Sequence, residues 1–88
     1  MYSLNNERKN DMRIKVECAM RFIHKNMIEA LEKNENPKFV FVGMDPKSKI
    51  TMLFDVETDR PANEICDLAK KIIKNSEMGK TASFRVIE

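Results

Sequence analysis

Apolar positions recur along this chain with two different periods, and the change of period divides it into elements. Between Asn5 and Glu35, Met12, Val16, Ala19, Ile23 and Met27 fall three or four apart, and Ala30 and Leu31 follow Met27 by three and four, which is the spacing of one helix face. No Pro or Gly interrupts the stretch, and good helix formers fill most of it. Pro37 stops it, because proline disfavours the helical conformation in the residue before it. The pattern predicts a long N-terminal helix over residues 5–35.

The period then shortens. Lys38 to Met44 is a run of β-branched and aromatic residues with both faces apolar, the pattern of a central strand covered on two sides. Asp45-Pro46-Lys47-Ser48-Lys49 reads as a turn. Ile50, Met52, Phe54 and Val56 then alternate onto one face of a second strand, and the short connection makes the two strands a hairpin. Helical spacing returns at Ala62, Ile65, Leu68, Ala69, Ile72 and Ser76. Asp59 is the expected N-cap, Pro61 sits in the first turn, and Gly79 is the expected C′ residue. Thr81 to Glu88 reads as a last strand with Phe84 and Val86 facing the core.

The reading is one α+β domain over residues 1–88, in the order α-β-β-α-β. It has a three-stranded mixed sheet, a long N-terminal helix and a crossover helix that sets the last strand parallel to the second. A helix of about 28 residues is about 42 Å long, whereas seven strand residues reach only about 23 Å. Part of the first helix is therefore expected to overhang the sheet. Ile14, Cys18 and Phe22, spaced i, i+4, i+8, form a second apolar strip away from the core stripe, bordered by Arg21 and Lys25. An exposed strip of this kind implies a partner, and a second copy of the chain is the simplest one.

Composition narrows the class. With 88 residues, 42% hydrophobic and 34% charged, the chain suits one modest core in a soluble protein. No apolar run reaches the roughly 20 residues of a membrane span. The first residues lack an apolar signal core, so a cytoplasmic location is expected. Cys18 and Cys66 read as free thiols rather than a disulfide framework. The net charge of +2 is unevenly placed. Residues 1–28 carry six basic and three acidic groups, residues 29–68 five and nine, and residues 69–88 five and two. Basic ends flank an acidic middle, which allows a local basic patch on a nearly neutral protein.

Catalytic patterns are sparse. His24 is the only histidine and Gly43 and Gly79 the only glycines, so neither a Cys/His metal set nor a phosphate-cradling glycine loop is present. Asp45 with Asp55-Val56-Glu57 resembles the acid and acid-x-lysine pair of metal-dependent nucleases of the PD-(D/E)xK type. Glu57 stands where lysine is usual and one core strand is missing. That resemblance implies a Mg²⁺-dependent nuclease as a remote alternative, although antiparallel pairing places Asp45 and Asp55 at opposite strand ends.

The expectation is a small non-enzymatic regulatory protein without a cofactor. Its expected ligand is RNA or single-stranded nucleic acid, held through Lys15, Arg21, Lys25, Lys70, Lys71, Lys74 and Lys80, with Phe22 able to stack a base. It is expected to be a homodimer that uses Ile14, Cys18 and Phe22. The alternative is a protein-directed inhibitor or adaptor, of the kind found among mobile-element inhibitors and antitoxins, which docks the apolar strip of the first helix.

Overall fold

The structure, a computed structural model, describes residues 11–88. The expected helix over residues 5–10 lies outside the described residues. From residue 11 onward the chain forms β1 (Asp11–Glu17), a 3-10 turn at Arg21–Ile23, α1 (His24–Glu32), β2 (Phe39–Met44), β3 (Thr51–Glu57), α2 (Ala62–Lys74), a second 3-10 turn at Gly79–Thr81, and β4 (Arg85–Ile87). The four strands make one sheet in the order β2-β3-β1-β4. Every pairing in it is antiparallel. The connectivity is that of two split β-α-β units, the ferredoxin-like arrangement.

The long N-terminal helix is thus corrected to a strand followed by a nine-residue helix. Met12 and Val16 are four residues apart, a separation that satisfies a helix face and a strand face equally. Ile14 between them breaks the tie, because Met12, Ile14 and Val16 alternate and two of the three are β-branched. The sheet then supplies partners: Ile14 stands opposite Phe54, and Val16 lies between Met52 and Val86. Only Ile23, Met27 and Leu31 of the expected helical stripe remain buried on a helix.

The three-stranded mixed sheet is corrected with it. β4 runs in the same direction as β3, as the crossover requires, but β1 is inserted between them. β2 is an edge strand rather than a central one, and only one of its faces is covered, so Val40 and Val42 face solvent while Phe39 is fully buried. Gly43, with φ of +148°, marks the irregularity in its pairing with β3. Asp59 does not occupy the N-cap of α2; that position is Pro61.

Both helices cover one face of the sheet, α1 against β2 and α2 against β4. The core between the layers is Ile14, Val16, Phe39, Met52, Phe54, Val56 and Val86 from the sheet, with Ile23, Met27, Leu31, Ile65, Ala69 and Ile73 above them. The other sheet face carries two cross-strand ion pairs, Arg13–Asp55 (2.7 Å) and Arg85–Glu17 (2.6 Å). No helix among the described residues is long and apolar enough to cross a membrane.

Candidate nucleic-acid interface

The registers decide which charged residues meet. β1 ends at Glu17 opposite Thr51, where β3 begins, and opposite Arg85, where β4 begins. Four segments therefore converge on one end of the molecule: the start of α1, the β2–β3 turn, the end of α2, and the 3-10 turn before β4. They bring Arg21, Lys25, Lys47, Lys49, Lys71, Lys74 and Lys80 to that end, all exposed. The acidic residues Glu32, Glu35, Glu57, Asp59 and Glu64 gather at the opposite end, where α1 and β3 finish and α2 begins. Lys33, Lys38 and Arg60 also stand at that acidic end, and Glu17, Asp45 and Glu77 at the basic one, so folding turns a basic-acidic-basic sequence into a molecule with a net basic end and a net acidic end.

Of the residues singled out by sequence, Arg21, Lys25, Lys71, Lys74 and Lys80 share this end. Lys70, Lys71 and Lys74 stand on the outer face of α2, beside Asp67 and Asn75, around a shallow groove of about 340 Å³. Lys15 is not part of the group. It lies on β1 between Leu53 and Ile87, on the sheet face away from the helices, so the sheet separates it from the α2 lysines. Lys47 and Lys49 were missed by sequence reading, because a turn reveals its neighbours only once strand order is known.

The expected Ile14-Cys18-Phe22 strip is not a surface. Ile14 and Cys18 are 0% and 1% exposed and belong to the core, whereas Phe22 is 73% exposed. The three side chains separate because Ile14 is on a strand and Phe22 on the 3-10 turn leading into α1. Met44, Ile50 and Met78 are also partly exposed, in segments that reach the same end of the molecule.

The two groups of cations differ in what they do for the fold. Lys71 and Lys74 occupy the last turn of α2, where the helix dipole favours positive charge, so stability alone accounts for them. Lys25 is in the first turn of α1 and Arg21 lies one turn before it. That turn holds no acidic residue and no side chain caps it. Positive charge there opposes the dipole, at a cost of about 0.3–1 kcal/mol per charge. A bound anion would offset that cost.

Elsewhere the ionisable groups serve structure. The Arg13 guanidinium hydrogen-bonds the Asp55 carboxylate and holds its pKa below the usual value. Asp45, by contrast, lies at the basic end, so the two aspartates of the nuclease-like pattern do not converge. Among the described residues no group of three or more His, Cys, Asp or Glu is placed to hold a metal ion. Both cysteines are free, Cys18 buried and Cys66 half-buried. Burial, with Glu88 nearby, pushes the Cys66 thiol up and away from thiolate chemistry. No family model, curated protein or solved structure matches this chain.

Proposed function

We propose that this chain is a non-enzymatic binding protein that holds RNA or another single-stranded nucleic acid across its basic end. The observation that carries the reading is Phe22. It is an aromatic ring 73% exposed beside Arg21 and Lys25, at the end of the molecule where the other cations converge. Cations that neutralise phosphates, interleaved with a ring that stacks a base, are the means by which single strands are held without sequence readout. The open sheet face offers no such platform, since its exposed apolar residues are aliphatic and its arginines are already paired.

The test is fluorescence anisotropy with a labelled single-stranded oligonucleotide across a salt series. Affinity should fall linearly on a log–log plot, by about 0.7 per phosphate neutralised. Replacing Lys70, Lys71 and Lys74 with Gln should reduce that slope by about two, while Phe22→Ala should cost about 1–3 kcal/mol. A triple variant with unchanged affinity and slope removes the α2 stripe from the interface. A wild type that binds no strand at low salt removes the reading.

A second reading has its own support. Phe22, Met44, Ile50 and Met78, each partly or largely exposed, give the basic end apolar side chains suited to a protein surface, whether an acidic target that the chain inhibits or a second copy of itself. Such a contact would respond weakly to salt.

A further inference from the structure

A cleft of about 370 Å³ opens at the basic end between the start of α1 and the β2–β3 turn, lined by Arg21, His24, Met44, Asp45, Ser48 and Lys49. Both of its walls are held in place. On the turn side, the Asp45 N–H donates to the Thr51 carbonyl (2.9 Å) and the Ser48 N–H to the Asp45 carbonyl (3.0 Å). The Lys47 N–H donates to the Asp45 carboxylate (2.8 Å), and the Ser48 and Thr51 hydroxyls are 2.8 Å apart. On the helix side, His24 Nε2 is 2.7 Å from the Cys18 carbonyl oxygen. A carbonyl only accepts, so Nε2 carries a proton and Nδ1 is the ring's remaining polar atom.

Arg21 and Lys49 make no ion pair among the described residues. Asp45 is the one carboxylate on the walls, and a backbone N–H already engages one of its oxygens. The cleft therefore offers a forked guanidinium, an ammonium and a hydroxyl between two fixed walls. With the Asp45 carboxylate also on the wall, the lining keeps a net positive charge, and its donors match a compact anion with several acceptor oxygens. A terminal phosphomonoester presents three acceptor oxygens to such donors, whereas a diester within a strand presents two.

We propose that this cleft is a phosphomonoester site. Resting on the nucleic-acid reading above, it seats the terminal phosphate of a single strand whose backbone then crosses toward Lys74 and Lys80. The crossing from the β2 side to the β4 side is three strand spacings, about 14 Å, a span that a strand of a few nucleotides covers.

The experiment compares one short single strand with a phosphate or a hydroxyl at its unlabelled end. It uses wild type and the R21Q/K49Q double variant, with circular dichroism as the folding check and a nucleoside monophosphate as a separate titrant. The phosphorylated strand should bind wild type at least about tenfold more tightly. The double variant should lose that preference, binding both strands with equal affinity, weaker than that of wild type for the hydroxyl-ended strand because Arg21 also serves the strand interface. Equal wild-type affinity for both ends overturns the terminal-phosphate site and leaves the nucleic-acid reading standing. Saturation by the nucleoside monophosphate with no binding of either strand supports the phosphomonoester chemistry and overturns the nucleic-acid reading. No binding of any probe overturns both.

Discussion

Ile73 and Leu68 show how far residue-scale reasoning reaches on an amphipathic helix. Both fall within the apolar arc of α2, but the helix turns Ile65, Ala69 and Ile73 fully into the core and leaves Leu68 and Ile72 half-buried at its border. A buried side chain loses both its transfer energy and its cavity contacts on truncation, whereas a border residue relaxes toward solvent. Ile73→Ala should therefore cost about 2–5 kcal/mol, and Leu68→Ala nearer 1 kcal/mol, the ordinary scale of a point mutation. Urea unfolding of the two variants against wild type makes the comparison. A larger cost at Leu68 would place the centre of the buried face at the wrong residue.

At the scale of elements, the exit from α2 depends on a close approach rather than on a left-handed cap. The helix ends at Lys74 with Asn75 as its C-cap, so Gly79 is not the C′ residue that its position suggested. A Cβ on Gly79 would stand 1.8 Å from the Ile73 carbonyl oxygen and 2.7 Å from Ser76 Oγ. Ser76 Oγ joins the two turns, donating to the Ile73 carbonyl (2.5 Å) and accepting from the Gly79 N–H (3.1 Å). Gly79→Ala must push the chain off the helix end and pull β4 away from β1. The expected result is a loss of about 1–3 kcal/mol in thermal or urea unfolding, well above that of Gly43→Ala. There φ of +148° strains any side chain, but nothing lies within 4 Å of the added Cβ. Equal costs would show that the turn after α2 yields around the added methyl and that crowding does not dominate at Gly79.

For the whole molecule, what matters is the separation of charge and the apolar residues placed within the basic half. If a second copy is the partner, burying Phe22, Met44, Ile50 and Met78 gains about 1.5–3 kcal/mol for each fully covered side chain. Loss of translational and rotational freedom takes back about 4–15 kcal/mol, and like-charged ends repel as they approach. The expected self-association is therefore weak and strengthens with salt, the opposite trend to strand binding. Phe22→Glu should abolish it with helical circular dichroism unchanged. Sedimentation over a concentration series at two salt levels reads the sign. A wild type that remains monomeric throughout assigns these side chains to a different partner.

Much of the architecture was legible in local pattern. The β2–β3 hairpin and α2 follow from periods and turn residues in short windows, with Met52, Phe54, Val56, Ile65 and Ala69 on their buried faces, whereas Ile73, outside the predicted face of α2, is fully buried, Leu68 and Ile72 are half-buried, and Ile50 is exposed. The uneven distribution of charge, and Arg21, Phe22 and Lys25 as a basic-aromatic group, are equally local. The first third of the chain was not legible. A four-residue spacing fits both a helix and a strand, and the pairing that settles it joins Ile14 to Phe54 and Val16 to Val86 across long stretches of sequence. Placing β1 inside the sheet followed from that pairing, as did burying Ile14 and Cys18, exposing Phe22 alone, and bringing the turn lysines beside Arg21. Periodicity determined the faces of the elements; only the tertiary structure decided which ends came together, because strand order is a long-range choice that no local window contains.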